Sequence, residues 1–294
     1  MATPLPIAWL NGAFLPLSEA RISPLDRGFL FADSVYEVLP VYGGRPFLFN
    51  AHIGRLERSL AAIGMDPPMT RTAWASLLQE LVQRNEGGQQ FVYIQVSRGA
   101  EFGRNHAPDP TLQPTIFLMA SPLSLLENHV RETGVAAVTV ADERWKRCDI
   151  KSTSLLPNIL AKGIAARAGA TEAILLADGF LREGSSSAVL IVREGTIHAP
   201  QEGLEILPST TRALALKLAA DLGIAIQLHA VTESALRSAD EVMLGFATRG
   251  VLPVCHIDGL PVGTGRPGPV WTRLNEAFEA YRSTVASLPI DQEA

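Results

Sequence analysis

Apolar residues along this chain repeat with two periods, and the order in which the periods alternate limits the fold more than any other feature. Spacing near two marks a strand with one buried face, and spacing of three to four marks an amphipathic helix. Residues 7–10 and 34–41 read as strands, the second turned by Gly43-Gly44 into a hairpin with 46–49. Helical spacing follows: 51–63 carries Ile53, Leu56, Leu60 and Ile63 and stops at Gly64, and 71–85 repeats the pattern with Trp74, Leu77, Leu78 and Leu81. Strands 91–98 and 115–120 flank a polar, Pro-containing loop, 99–114, which is too long for an ordinary connector and is a candidate functional loop. Beyond residue 128 the order is strand 135–140, helix 158–168, strand 172–177, strands 186–193 and 196–199 across Glu194-Gly195, helix 210–222, strand 225–229, helix 232–238 and strand 241–246. Regular strand-helix-strand alternation is missing, so the expected class is α+β rather than a doubly wound sheet.

The chain has 294 residues, long for a single core, and two domains are expected: 1–120, a linker over 121–128, and 129–294. With 47% hydrophobic and 19% charged residues it can bury a sizeable core. A net charge of -5 without a Lys/Arg run gives no general attraction to nucleic acid or anionic membrane. Cys148 and Cys255 stand too far apart for a disulfide framework or a zinc motif, and the six histidines show no paired metal spacing. The expectation is a cytoplasmic protein with no signal peptide, membrane span or metal.

Several residues could carry chemistry. Lys151 lies between a strand and a helix, where partial desolvation can make its amine a nucleophile toward carbonyl carbon; a solvated surface lysine is the ordinary alternative. Glu183, in Leu181-Arg182-Glu183-Gly184-Ser185-Ser186-Ser187, could accept a hydrogen bond from a protonated ring nitrogen, or could be a plain loop carboxylate. Thr210 and Thr211 open a helix whose exposed amides could bind a phosphate, although N-capping accounts for hydroxyls there almost as well. Arg55, three residues past His52, could supply a matching cation. Arg104 and His106 share one side of an extended loop and could grip one carboxylate. Tyr36 alternates with apolar neighbours, which also suits strand packing.

Taken in chain order, these segments resemble the fold-type IV pyridoxal phosphate enzymes, and within them the D-amino acid (D-alanine) aminotransferases. The likeness runs from Asp26-Arg27-Gly28 to Leu252-Pro253-Val254 through Val35-Tyr36-Glu37-Val38, His52-Ile53-Gly54-Arg55-Leu56, Arg98-Gly99, Arg104-Asn105-His106, Arg147-Cys148-Asp149-Ile150-Lys151-Ser152, Glu183-Gly184-Ser185-Ser186-Ser187 and Ile206-Leu207-Pro208 with Thr210-Thr211-Arg212. The resemblance implies a two-domain α+β enzyme with its active site between the domains, and a second domain carrying the cofactor lysine. It implies that Lys151 holds pyridoxal 5'-phosphate covalently and shuttles the α-proton. Glu183 would bind the pyridine nitrogen; Arg55, Thr210 and Thr211 the phosphate; Leu207 would support a ring face, and Ser186 would lie near ring and lysine. Tyr36 would form the substrate-carboxylate trap with Arg104 and His106, the last two reaching over from a neighbouring subunit of a homodimer. The implied reaction passes the amino group of D-alanine or a similar D-amino acid to 2-oxoglutarate by a ping-pong route.

Two positions depart from the family pattern. Ala188 stands where Asn is usual, and Ala247 where a phosphate-binding Thr is expected, for which Thr248 is the candidate substitute. Phe246 and Arg249 could reshape the pocket. A branched-chain L-amino acid aminotransferase, an aminodeoxychorismate lyase and an (R)-amine aminotransferase share the fold, and a non-catalytic pyridoxal phosphate-binding protein is the alternative from another class. The Arg104-Asn105-His106 loop argues against the first three, and the completeness of the set around Lys151 against the last.

Overall fold

The computed structural model describes residues 3–285 and divides into two compact units. Residues 3–124 make up most of the first, joined by Ile150–Ser154 and 282–285; the second comprises Leu125–Asp149 and Leu155–Tyr281.

The first unit holds β1 (Ile7–Leu10), β2 (Ala13–Pro16), a short helix α1 (Arg27–Phe31), β3 (Ser34–Tyr42), β4 (Arg45–Pro46), α2 (Phe49–Ala62), α3 (Arg71–Arg84), β5 (Gln90–Ser97) and β6 (Thr115–Pro122). Its strands form one antiparallel sheet in the order β2-β1-β6-β5-β3-β4. Alternation sets the register. Val35, Leu39 and Val41 of β3, Val92, Ile94 and Val96 of β5, and Ile116 and Leu118 of β6 share a buried face, and α2 and α3 cover it with Ile53, Leu56, Leu60, Trp74, Leu78 and Leu81. Burying each such side chain stabilises the unit by about 1.5–3 kcal/mol. The Thr70 hydroxyl accepts from Ala73 N at 3.2 Å and starts α3. The expected strand over 46–49 is cut short at Pro46, because Leu48 takes a left-handed backbone (φ 54°) and Phe49 already begins α2.

The second unit comprises α4 (Asn128–Thr133), β7 (Val135–Ala141), α5 (Leu156–Arg167), β8 (Glu172–Ala177), β9 (Phe180–Gly184), β10 (Ala188–Arg193), β11 (Thr196–Ala199), α6 (Thr210–Asp221), β12 (Ile226–Leu228), α7 (Glu233–Arg237), β13 (Glu241–Phe246), β14 (Gly250–Ile257), β15 (Leu260–Pro261) and α8 (Pro269–Val285), whose last residues group with the first unit. Its mixed sheet runs β12-β11-β10-β13-β14-β7-β8-β9, with β15 on β14. One core joins Ile174, Leu181, Ile191, Leu244 and Leu252. The small face of α5, Ala161 and Ala165, packs on Ala173 and Leu175 of β8 in a second cluster. Both units mix helices with sheets, and the fold class is α+β, as the periods implied.

One expectation needs correcting. The Lys151 segment does not group with the second half. It groups with the first unit because Ile150 is buried in that unit's core, and because its backbone is fastened to β3.

Candidate active site

Lys151 is fixed by main-chain contacts on both sides. Its carbonyl accepts from Tyr36 N (2.9 Å), its amide donates to Ser59 Oγ (3.2 Å), Thr153 N donates to Ser34 O (3.1 Å), and Ser152 bridges Val35 as a one-residue strand. Backbone groups make these bonds, which leaves the half-buried side chain available for chemistry. Its Nζ lies 4.2 Å from the Tyr36 ring centroid, a cation–π contact worth about 0.5–2 kcal/mol. Tyr36 in turn stacks on Tyr93 at 5.7 Å, and Tyr93 donates to Gln95 Oε1 at 2.8 Å. Burial, then the neighbouring Tyr36, pushes the Tyr93 phenol up to about 12, so it remains a neutral donor.

Behind Tyr36, on the core face of β3, Glu37 is fully buried. Arg55 Nε and Nη2 donate to its two oxygens at 2.7 and 2.8 Å, and His52 Nδ1 lies 2.8 Å from Oε2. Burial disfavours the Glu37 carboxylate, but Arg55 and His52 more than offset this and hold its pKa well below the usual range. Burial lowers the His52 pKa; Glu37 opposes this, while Arg55 and Lys151 add to it. His52 is therefore a neutral Nδ1–H donor to Glu37 rather than its ionic partner. Residue-by-residue reading passes over Glu37, although its register offers a signal: a carboxylate in step with Val35 and Leu39 has to face the core and find a cation.

Arg104 and His106 are exposed in loop 99–114 and meet on Phe31. The Arg104 guanidinium lies 4.9 Å from that ring's centroid, and the His106 ring packs edge-on at 5.5 Å. Among the described residues neither makes a hydrogen bond or ring contact with Tyr36.

In the second unit Glu183 is buried near the end of β9. Leu207 N donates to both its oxygens at 3.1 Å, and Arg144 donates to Oε1 through Nη1. Arg144 also grips Asp142 through Nε and Nη2 at 2.9 and 2.8 Å. Burial works against its charge, but the bonds to Asp142 and Glu183 win and raise its pKa, so Glu183 sits beside a permanent cation. The Ser186 hydroxyl donates to Glu172 Oε2 at 2.8 Å, Ser187 to the same oxygen at 3.1 Å, and Ser185 to Oε1. Fully buried Glu172 thus gathers three successive hydroxyls and fixes the turn after Glu183, where a Cβ on Gly184 would meet Ser187 Oγ at 2.1 Å.

Thr210 and Thr211 are the first two residues of α6, and the Ser209 hydroxyl caps them by accepting from Arg212 N at 3.2 Å. A Cβ on Gly245 would lie 3.6 Å from Thr211 Cγ2, so the end of β13 abuts this helix terminus. Half-buried Thr248 follows in the β13–β14 turn. Ala188 is buried opposite Gly245, and Phe246 faces Arg249 at 5.7 Å. Arg144 and Glu172 escape sequence reading because their partners come from distant segments.

Residues 34–257 match the model of the amino-transferase class IV family. The chain belongs to the class IV aminotransferases. It is 39% identical over 274 residues to a D-alanine aminotransferase of Staphylococcus aureus (93% of this chain, 96% of the relative), and 39% identical over 272 residues to that of Bacillus licheniformis (92% and 94%). Among solved structures, it superposes on a T.th. branched-chain amino acid aminotransferase with pyridoxamine 5'-phosphate at TM-score 0.87 and 29% identity, covering 94% of each chain. A branched-chain aminotransferase of Thermoproteus uzoniensis with norvaline gives TM-score 0.84 at 26% identity, covering 95% of each.

The enzyme is a pyridoxal 5'-phosphate-dependent aminotransferase, and its donor set suits that cofactor. Lys151 offers an amine for an aldehyde, and Glu183 a buried carboxylate beside the Arg144 guanidinium for a ring N–H. The α6 terminus with two hydroxyl residues, tight against β13, offers a seat for a phosphate.

Proposed function

We propose that the protein is a D-amino acid aminotransferase that moves the amino group of D-alanine, or a similar D-amino acid, to 2-oxoglutarate. The observation that carries this reading is the likeness, over more than nine-tenths of the chain, to proteins named D-alanine aminotransferase. A second reading, branched-chain L-amino acid transfer, draws on the solved structures most similar in shape.

In this reading the chemistry supplied by pyridoxal phosphate is an aldehyde that accepts the amino group and a ring that draws electrons away from the substrate Cα. Lys151 would hold the cofactor through that aldehyde, and its Nζ would be the base that takes the substrate α-proton and returns it. Glu183 accepts the hydrogen bond of the ring nitrogen, held by Leu207 N and Arg144. Arg55, Thr210, Thr211 and Thr248 hold the phosphate, Leu207 supports a ring face, and Ser186 lines the site. Tyr36, Arg104 and His106 bind the substrate carboxylate. A carboxylate held on that side turns the α-hydrogen of the D-isomer toward Lys151, whereas the L-isomer would present its side chain.

A homodimer is part of the proposal, with Arg104 and His106 serving the partner's site. The face of α5 away from its sheet supports it: Leu156, Ile159, Leu160 and Ile164 are 66%, 63%, 58% and 43% exposed, an apolar stripe at helical spacing that water alone would cover at a cost. A Leu160→Asp variant is expected to shift the protein from dimer to monomer in sedimentation and to lose turnover; a wild-type protein that is monomeric and active would contradict the dimer. A cytoplasmic home is likewise proposed, supported by two cysteines that are both buried and free; among the described residues no helix is long and apolar enough to cross a membrane. The activity itself is tested by incubating the protein with D-alanine and 2-oxoglutarate and resolving the products, which should be pyruvate and D-glutamate. Formation of L-glutamate from L-leucine, with D-alanine inert, would favour the second reading.

A further inference from the structure

Loop 99–114 contains no helix or strand, and the side chains it offers to substrate, Arg104 and His106, are exposed. A segment of that length would sample many poses unless tied down. Arg27 ties it. Only 3% exposed, this residue donates from Nη1 to Glu101 Oε2 (2.9 Å) and Asn105 O (2.6 Å), and from Nη2 to His106 O (2.9 Å). Its Nε donates to Asp33 Oδ2 (2.9 Å), and its amide to Gly99 O (2.8 Å). Asp33 is itself held by Arg98 Nε and Nη2 at 2.8 and 3.0 Å, so the strand-end residue before the loop and the loop's tip share one charged anchor. Phe31, one turn along α1, takes Arg27 and Arg104 guanidinium groups at 4.9 Å each and the edge of His106.

We infer that Arg27 and Phe31 are positioning residues for carboxylate recognition: they set the pose in which loop 99–114 presents Arg104 and His106. The inference rests on the reading of Arg104 and His106 as the carboxylate trap. A planar guanidinium reaches acceptors in two directions at once, which a lysine ammonium cannot do. Burial opposes the charge of Arg27, but the bonds to Asp33 and Glu101 outweigh it and raise the pKa. In the sequence, Asp26-Arg27-Gly28 marks only where the family likeness begins.

The test compares Arg27→Lys, Phe31→Leu and Arg104→Ala in the cofactor-loaded protein, by hydrogen exchange over 99–114 without substrate and by kcat and KM for D-alanine. Phe31→Leu removes the ring contact but keeps every hydrogen bond of Arg27, and guards against a variant that simply fails to fold. The expected result is faster exchange confined to 99–114 in both anchor variants, with KM raised on the order of tenfold while kcat changes little. Unchanged exchange and KM in both anchor variants, with KM raised in Arg104→Ala, would overturn the inference and leave the trap standing. So would a loosened loop with normal KM alongside that same rise in Arg104→Ala. Normal KM in Arg104→Ala would remove the trap and the inference with it.

Discussion

Replacing Lys151 with alanine should remove turnover with every amino donor, a fall on the order of 10⁴-fold, the upper end of what one positioned proton-transfer group supplies. The loss should be chemical and not structural. The bonds that seat this segment, from Tyr36 N and to Ser59 Oγ, belong to the Lys151 backbone and survive the substitution. The side chain's contact is with the Tyr36 ring, so stability should fall by only about 0.5–2 kcal/mol. Borohydride reduction followed by peptide mass mapping gives a second readout. The wild-type protein should carry the pyridoxyl group on the peptide containing Lys151, and the variant on none. A label on Lys146 or Lys162, or turnover retained in the variant, would show that another amine does this work.

The Glu37→Gln substitution should cause the largest loss of stability. It breaks the buried ion pair of Arg55 with Glu37, and removing one partner of such a pair costs about 3–5 kcal/mol, or a fall in Tm on the order of 10 °C for a chain of this size. The same cluster sets an acid limit. The Glu37 pKa is lowered in the fold from 4.5, so its stabilisation is complete above that value and is lost as pH falls toward the folded pKa. The His52 pKa is lowered from 6.5, so below that value the unfolded chain binds the proton more readily and stability again falls with pH. Wild-type Tm should thus decline in two stages on acidification, gently below about 6.5 and more steeply below about 4.5. The Glu37→Gln profile should lack most of the lower stage and keep the upper one, so that subtracting it from the wild-type profile leaves the lower stage. A variant as stable as wild type at neutral pH, or a difference profile flat below about 4.5, would mean that Arg55 is satisfied without Glu37.

Helices α2 and α3 and strand β5 are legible in the sequence because each buries one face of a periodic run. Strand β14 is not: Pro253 interrupts the run Gly250–Ile257, yet it fits the sheet opposite Met243. Helix α8 has a readable stripe in Val270, Leu274 and Phe278, beyond the last strand expected from the pattern, which ends at Phe246. Domain membership of Lys151 is misleading in the sequence because chain order places it after the linker, while Ile150 and the β3 backbone hold it to the first unit.

At the site, residue types point to Lys151, Glu183 and the α6 terminus, since each offers a group of distinctive chemistry. Their supports are hidden. Arg144 meets Glu183 from 39 residues away, Glu172 its serines from 13 to 15, and Arg27 the carbonyls of loop 99–114 from 78 and 79. Such pairings depend on tertiary packing that no local period encodes. Glu37 is the exception, because its place in the core register of β3 requires a cation, and the helical pair His52 and Arg55 supplies one.

The central claim, amino transfer from a D-amino acid, is tested most directly by a half-reaction followed in the absorbance of the bound cofactor, with no acceptor present. D-alanine is expected to convert the lysine-bound form fully to the amine form and to release one equivalent of pyruvate, while L-leucine leaves the spectrum unchanged. Conversion by L-leucine and none by D-alanine would contradict the account.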